Sequence, residues 1–299
     1  MFLEHLNTGI IQESSLCGVI LIYFVSGFEA LEYVMTRSIS PKMARVLERL
    51  ELDRPTLITT EYLANILADE KIGTGVRVVA ARLREQGWLL ATSQRGVWEF
   101  VPAEMAGPYS RNDPAMPLQA FLIQYPASGC ALTFQAGAWA LGLADRVPLT
   151  LEIAVPDSKT TQKLPDSLMP SVFEPVLPTV LINEIPVLAA ESILINMAAK
   201  PSDLRSWASA TEWLPELASA LLWENLNKEL TSRTAATKAR TGYLLQSLRP
   251  DLAEIIYATF PPQTKTWFGP RGKLRRHNNR WLVADTLLPF DPAELKSAL

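Results

Sequence analysis

Four arginines and one lysine are concentrated between residues 71 and 95 of this 299-residue chain, where Glu85 is the single acid. The basic residues are Lys71, Arg77, Arg82, Arg84 and Arg95. Guanidinium and ammonium groups bind phosphate oxygens, and arginine also reads base edges in the major groove of DNA. Because the net charge of the whole chain is −3, any nucleic-acid binding must depend on such a local basic patch.

The apolar residues of the same stretch predict a helix over residues 75–86 with one buried side. They recur at helical spacing and are Val76, Val79, Ala80 and Leu83. On the exposed side, Arg77 and Arg84 fall on one flank and Arg82 on the other. A helix that packs by one side and presents donors on the other suits the major groove. A solvated amphipathic helix has the same pattern and remains an alternative.

The centre of the exposed side and the start of this helix carry different chemistry. Val78, Ala81 and Glu85 are predicted to point outward between the arginine flanks. Thr74 precedes the helix and is expected to contact a phosphate, since free backbone amides at a helix start attract anions.

Two earlier helices are predicted before this one. Ser40-Pro41 and Thr59-Thr60 are capping sequences, and each is followed by apolar residues at helical spacing. Gly73-Thr74-Gly75 separates the second helix from the third, and Gly87 is expected to end the third in a left-handed conformation.

A β-hairpin is predicted after the third helix. Its strands cover residues 88–93 and 97–101, and the turn Gln94-Arg95-Gly96 places Arg95 at the tip. Three helices followed by a hairpin are typical of a winged helix-turn-helix, here over residues 38–103. The tip of such a wing contacts the DNA backbone or minor groove. Some domains of this class bind protein instead.

A second group of basic residues lies near the end of the chain. Between positions 265 and 280 no acid interrupts six basic side chains, Lys265, Arg271, Lys273, Arg275, Arg276 and Arg280. Trp267, Phe268 and Trp281 accompany them. Basic and aromatic residues in alternation can follow a phosphate backbone and stack on bases. The pattern indicates a second DNA or RNA contact, with a solvated loop over core aromatics as the alternative.

Residues that would support catalysis or bind a cofactor are sparse. No phosphate-binding loop, dinucleotide fingerprint or metal-binding cysteine pair occurs, and His5 and His277 are too few for a histidine-rich metal site. No two carboxylates have a spacing that suggests acid–base chemistry. Cys17 and Cys130 are isolated, which fits a reducing cytoplasm. The sequence therefore predicts a cytoplasmic protein that is not an enzyme and binds no metal or cofactor.

The segments on either side of residues 38–103 have their own character. Residues 1–37 are predicted to be an N-terminal extension, and the natural start is expected at Met35. The apolar run at 16–25 has about half the length of a membrane-spanning helix; a short membrane-associated or self-associating segment is the alternative. Residues 104–116 contain glycine, prolines and asparagine and are predicted to be a linker.

Residues 117–299 are predicted to form a second domain. A helix is expected over 131–142, a strand over 149–155, mostly helices over 187–259, and a late strand at 281–285. Strands and helices without strict alternation indicate an α+β domain. The predicted fold class is therefore α+β, with an N-terminal winged helix-turn-helix followed by a larger mixed α/β domain.

Residues 80–102 resemble the stretch that ends the winged helix of AbiEi-family antitoxins, from bacterial toxin–antitoxin operons. The matching positions are Leu83, Gly87, Trp88, Leu89, Arg95, Gly96, Trp98, Phe100 and Pro102. Residues 133–141 are similar to a helix of the family that is rich in small residues, and residues 281–289 to its closing segment.

The resemblance implies a role in two parts. The N-terminal domain would bind inverted repeats in its own promoter and repress the operon. The C-terminal domain would counteract a nucleotidyltransferase-like toxin encoded next door, without a stable direct complex. The partners that the resemblance implies are double-stranded DNA and a functional partner toxin, with no membrane.

Two other interpretations remain open. A ligand-responsive winged-helix regulator without a toxin partner would need a deep apolar pocket with convergent polar groups in residues 117–290. An enzyme or adaptor that uses the winged helix for protein contact would need clustered carboxylates in a cleft of the same region.

Overall fold

A computed structural model describes residues 39–105 and 113–295. Within these residues the chain is α+β, with eleven α-helices and three β-sheets. The predicted extension 1–37, which includes Met35, lies outside the described residues, as does most of the predicted linker 104–116.

Backbone contacts divide the chain into two compact units. Of the described residues, the first unit comprises 39–91 and 96–105, and the second comprises 92–95 and 113–295. Each unit has its own buried core and is described separately.

The first unit begins with α1, Pro41–Asp53. The side chain of Ser40 caps it by accepting a hydrogen bond from the Met43 amide at 3.4 Å, and Pro41 occupies the first turn. The helix ends at Arg54, whose backbone adopts a left-handed conformation with φ of 45°.

Two further helices follow in the first unit. The short strand β1, Leu57–Thr59, leads into α2, Thr60–Asp69, where Thr59 accepts a hydrogen bond from the Tyr62 amide at 3.0 Å. The third helix, α3, is Val76–Glu85, and Gly87 follows it with φ of 71°. The three helices and the left-handed stop are as predicted. Strand β1 was not predicted, because three residues are too few for a strand pattern to be recognised.

A three-stranded antiparallel sheet completes the first unit. Strands β2, Leu89–Ala91, and β3, Val97–Phe100, form the predicted hairpin, and β1 pairs with the other edge of β3. Gly96 in the hairpin turn has φ of 79°, and a Cβ there would lie 2.8 Å from Thr60 Oγ1. A short 3₁₀ helix, Ala103–Met105, follows. The apolar sides of all three helices pack with the sheet in one core; its fully buried members include Leu50, Ile58, Leu63, Leu83 and Phe100.

The second unit is built around a five-stranded mixed sheet in the order β6-β5-β4-β8-β7. The strands are β4, Ala131–Leu132; β5, Glu152–Val155; β6, Met169–Val172; β7, Val180–Ile182; and β8, Ile185–Val187. Pairs β4–β5 and β7–β8 are antiparallel, whereas β5–β6 and β4–β8 are parallel.

Eight helices surround this sheet within the described residues. They are α4, Met116–Gln124; α5, Phe134–Ala140; α6, Ser158–Thr161; α7, Ala190–Ala199; α8, Trp207–Ser219; α9, Trp223–Thr231; α10, Ala235–Leu245; and α11, Pro250–Thr259. A smaller sheet follows, in the order β10-β11-β9, from β9, Thr266–Phe268; β10, Arg276–Asn278; and β11, Val283–Asp285.

Both faces of the five-stranded sheet are covered. Ile153 of β5 points into a core shared with α4, whereas Ala154 points into a larger core formed with α7 to α11. The predicted strand at 149–155 is therefore present in its second half. The helix expected over 131–142 is shorter than predicted, because residues 131–132 pair as β4 and Phe134 begins the helix with a positive φ of 48°.

Candidate nucleic-acid interface

Helix α3 buries one side and exposes the other. Val79, Ala80 and Leu83 are buried, while all three arginines of the helix are exposed. Between the arginine flanks, Val78 keeps 48% of its surface exposed. Between its guanidinium flanks the helix thus presents the aliphatic Val78 and Ala81, followed by the exposed Glu85.

The arginines of α3 have no ion-pair partner in the part of the chain that the structure describes, whereas the three arginines in and beside α1 are each paired with an acid. These ion pairs are Arg45 with Glu70 at 3.8 Å, Arg49 with Asp53 at 3.0 Å, and Arg54 with Glu104 at 3.4 Å. Among the described residues, no ion pair involves Arg77, Arg82 or Arg84. The positive charge of the exposed side of α3 is therefore available to an external anion.

The start of α3 is open. Gly75 rather than Thr74 is the cap residue, and no side chain bonds to the first amides of the helix. A Cβ added at Gly73 or Gly75 would meet nothing within 4 Å. Lys71 is exposed, and Thr74 is half-buried immediately before the cap. This end of α3 has room for a phosphate group.

The connection between α3 and the hairpin is tightly bonded. The Trp88 amide donates to Leu83 O at 2.8 Å, and the Val101 amide donates to Trp88 O at 2.9 Å. Trp88 and Phe100 are buried in the core of the first unit. Aromatic packing therefore fixes the strands that flank the turn.

Arg95 lies in the turn between β2 and β3, where its side chain is exposed. Within residues 39–105 and 113–295 it has no ion-pair partner. The structure thus places Arg95 at the hairpin turn, as the sequence predicted.

In the second unit, the loop between β9 and β10 carries part of the second basic group. Arg271, Lys273 and Arg275 are exposed and line an open hollow of about 530 Å³ beside Thr286. One guanidinium nitrogen of Arg275 donates to Leu288 O at 3.1 Å. We call residues 269–275 the basic loop.

Two members of the predicted second group are instead engaged with acids. Arg276 Nη1 lies 3.0 Å from buried Asp285, and Arg280 lies 2.5 Å from Glu254. Arg280 also stacks over Tyr257, with its guanidinium carbon 4.7 Å from the ring centroid. These acids lie outside positions 265–280, so their proximity could not be inferred from the run itself.

The aromatic residues of the second group are mainly part of the core. Phe268 and Trp281 are fully buried. Trp267 is half-buried, and Lys265 Nζ lies 5.6 Å from its ring centroid. Base stacking on Phe268 or Trp281 would therefore require the core to open.

Residues 127–247 match the family model described as the AbiEi antitoxin C-terminal domain. This segment, which is less than half of the chain, is similar to an AbiEi-type antitoxin domain, and we call it the AbiEi segment. The match supports the family resemblance seen in the sequence, although the motif at 80–102 lies outside the matched segment. The AbiEi segment contains the five-stranded sheet and α5 to α10, whereas α3 and the basic loop lie beyond its ends.

A solved structure is similar over more of the chain than the AbiEi segment alone. The crystal structure of the RV2827C protein from Mycobacterium tuberculosis superposes with a TM-score of 0.71 at 25% sequence identity. The match covers 85% of this chain and 94% of that chain. A comparison with curated proteins finds no match.

Buried carboxylates in the AbiEi segment hold backbone amides. Glu152 Oε2 accepts from the Ala136 amide at 3.0 Å, and burial raises the pKa of Glu152 to about 7. Glu229 Oε2 accepts from the Val176 and Leu177 amides at 2.9 and 3.0 Å, and Glu229 Oε1 pairs with Arg233. Among the described residues, no three His, Cys, Asp or Glu side chains are grouped to hold a metal.

A buried polar network in the AbiEi segment was not predicted from the sequence. Asn196 in α7 donates to Thr133 Oγ1 at 2.9 Å, and Ser171 Oγ donates to Asp203 at 2.8 Å and contacts Asn196 at 3.3 Å. The available signal was an asparagine within the apolar run 193–199, since a buried amide requires partners.

A second open hollow, of about 500 Å³, lies between α4 and α6 beside the AbiEi sheet. Tyr125, Asp157 and Lys163 are part of its lining, and Lys163 Nζ lies 5.4 Å from the Tyr125 ring centroid. Asp157 caps α6, since its side chain accepts a hydrogen bond from the Thr160 amide at 2.7 Å.

In the part of the chain that the structure describes, no helix is long and apolar enough to cross a membrane.

Proposed function

We propose that this chain is a DNA-binding antitoxin that represses its own promoter and counteracts a nucleotidyltransferase-like toxin. Residues 38–103 act as a winged helix-turn-helix, and residues 117–299 as the antitoxin domain. The protein works in the cytoplasm, has no catalytic role, and opposes the toxin without forming a stable complex with it.

The exposed arginines of α3, which have no ion-pair partner among the described residues, are the observation that carries the DNA-binding half of the proposal. The order of elements in the first unit supports it, because a helix, a short strand, two helices and a hairpin on one sheet are the parts of a winged helix. Helix α3 is then the recognition helix, with Arg77, Arg82 and Arg84 on phosphates or base edges. Lys71, Thr74 and Arg95 are proposed as backbone contacts.

The antitoxin half rests on the AbiEi segment. The buried carboxylates there are engaged with backbone amides, which supports a structural rather than a catalytic use. The hollow beside Tyr125 is open to solvent, and its lining includes the polar Asp157 and Lys163. A ligand-responsive regulator therefore has less support than an antitoxin.

The second nucleic-acid contact is proposed in a reduced form. Lys265, Arg271, Lys273 and Arg275 are its members, because they are exposed and have no acidic partner among the described residues. Arg276 and Arg280 are left out, since their guanidinium groups are held by acids.

A mobility-shift titration with the chain's own upstream DNA tests the DNA-binding half. We expect specific binding that weakens steeply as salt rises. Arg82→Ala with Arg84→Ala should weaken binding by about 1–3 kcal/mol for each base-edge hydrogen-bonding pair that the substitutions remove. The charge-matched control is Arg45→Ala with Arg49→Ala, which removes two paired arginines. Equal reductions in affinity in both double variants would refute the recognition-helix assignment.

Co-expression tests the antitoxin half. Growth arrest by a nucleotidyltransferase-like toxin from the adjacent gene should be relieved by the full chain and by the Arg82→Ala, Arg84→Ala variant alike. Relief that requires both arginines would contradict the division of roles between the two units.

A further inference from the structure

The exposed side of α3 has an apolar centre that phosphate binding does not explain. Val78 is 48% exposed and stands between charged neighbours, and the exposed Ala81 lies one turn further along. In an α-helix, residues three apart lie on one face. An aliphatic side chain at the centre of a DNA-facing surface can bury itself against an apolar group of the groove.

The flanks of this apolar centre identify the partner. Arg77 and Arg84 border Val78 and Ala81 on one side and Arg82 borders them on the other, and none of the three has an acidic partner among the described residues. A surface with cations on both edges and methyl groups between them, up to Glu85 at its far end, complements a groove with phosphates on both walls. In the major groove the apolar group on the floor is the C5 methyl of thymine.

We infer that Val78 and Ala81 contact thymine methyl groups and so make this chain select thymines at the centre of each recognised half-site. The inference rests on the proposed function and adds which bases α3 reads. Val78 and Ala81 are about 4.5 Å apart along the helix axis, which is close to one base-pair step of about 3.4 Å. The two thymines therefore lie on neighbouring base pairs.

The arginines and Glu85 have a separate part in the selection. Arginine prefers guanine, and a glutamate carboxylate accepts from the cytosine amino group. Glu85 is exposed at the other end of α3 from Gly75. The selected half-site therefore has thymines at its centre, with G·C pairs toward its edges.

The test begins with the full-length protein and a pool of random duplexes, from which bound sequences are selected. Each thymine of the best duplex is then replaced singly by deoxyuridine, which removes the methyl group and leaves base pairing intact. We expect two neighbouring thymines at which uridine weakens binding about fourfold, equivalent to about 0.8 kcal/mol for one buried carbon.

The Val78→Ala variant connects the methyl group to its protein partner. It should bind thymine and uridine equally at one of the two positions and keep the fourfold preference at the other. Leu52→Ala is the matched control, because Leu52 is an aliphatic residue of the same unit with 75% of its surface exposed. It should retain both preferences. Thermal unfolding of each variant checks that the fold is intact.

The outcomes separate the inference from the proposed function. If no duplex binds, both are overturned. If binding is strong and depends on Arg82 and Arg84 but uridine is tolerated at every position, the thymine inference alone is overturned. A uridine effect that persists unchanged in Val78→Ala at both positions also overturns it.

Discussion

The backbone of Gly242 in α10 lies directly against the indole ring of Trp281: a Cβ at position 242 would lie 2.1 Å from Trp281 Cη2. Both residues are buried, and Trp281 is among the largest fully buried side chains of the described residues. The close approach lets the segment before β11 pack on α10.

Gly242→Ala should therefore destabilise the second unit, although alanine favours helices by about 1 kcal/mol. Because the Trp281 ring is fully buried, we expect a decrease of about 1–3 kcal/mol in the free energy of unfolding. Gly272→Ala is the control, since a Cβ there meets nothing within 4 Å. Chemical denaturation of both variants measures the difference, and comparable stabilities would disprove the packing argument.

Glu152 should make stability depend on pH. Burial raises the pKa of Glu152 in the folded protein from 4.5 to about 7, against the lowering effects of the Ala136 amide and Arg205. Between pH 4.5 and 7 the folded state then retains a proton that the unfolded chain releases. Stability should fall as pH rises through this window, by roughly 3 kcal/mol in total.

Glu152→Gln isolates this effect. Its amide oxygen can still accept from the Ala136 amide but does not titrate, so the decline between pH 4.5 and 7 should be smaller by the contribution of Glu152. Glu216→Gln, at an exposed position of α8, should retain the decline. Thermal melts at several pH values give the comparison, and parallel curves for wild type and Glu152→Gln would exclude a proton on this group.

Local chemistry explains which parts of the fold were predictable from sequence. Ser40, Thr59 and Gly87 fix helix ends through their own hydrogen bonds or backbone conformation, so their neighbours suffice to predict them. The arginines of α3 were predictable as exposed because the apolar spacing fixes the orientation of the helix.

Contacts between distant segments could not be predicted in this way. The sequence around Glu152 alternates as in a strand with one solvent-exposed face, which predicts an exposed glutamate. In the structure, helices cover both faces of the sheet, and Glu152 is buried. Arg276 and Arg280 could not be excluded from the second basic group for the same reason. Their acidic partners, Asp285 and Glu254, are brought close to them only by the tertiary fold. The family match falls on residues 127–247, where the sequence motifs were less distinctive than at 80–102.

Asp285 should be a key residue for the stability of the second unit. Its carboxylate is fully buried and accepts from the Leu287 and Leu288 amides at 2.9 Å each, from Arg276 at 3.0 Å and from the Tyr243 hydroxyl at 3.2 Å. Burial and the neighbouring Asp285 raise the pKa of Tyr243 well above its ordinary value, so the hydroxyl remains a donor.

Asp285→Ala should cost about 3–5 kcal/mol in the free energy of unfolding, because it leaves a partly buried guanidinium without its closest counter-charge. Asp291→Ala removes the more distant acid, 3.8 Å from Arg276 and partly exposed. It should cost less than about 1 kcal/mol. Equal destabilisation in the two variants would show that the carboxylate of residue 285 has no special role.

The basic loop should contribute to DNA affinity through charge alone. Phosphate contacts release counterions, and each contact adds about 0.9 to the slope of log affinity against log salt. Arg271→Ala with Lys273→Ala should therefore reduce the slope by roughly two units if both residues contact phosphates. Because the loop offers no stacking surface from Phe268 or Trp281, the preference among DNA sequences should not change.

Arg280→Ala provides the matched test of whether pairing with acids removes an arginine from the DNA-binding surface. Since its guanidinium is held by Glu254 and Tyr257, we expect the salt slope to stay at the wild-type value. A slope that falls by about one unit in Arg280→Ala would mean that DNA displaces Glu254. The second contact would then include Arg280, and its restriction to Lys265, Arg271, Lys273 and Arg275 would be wrong.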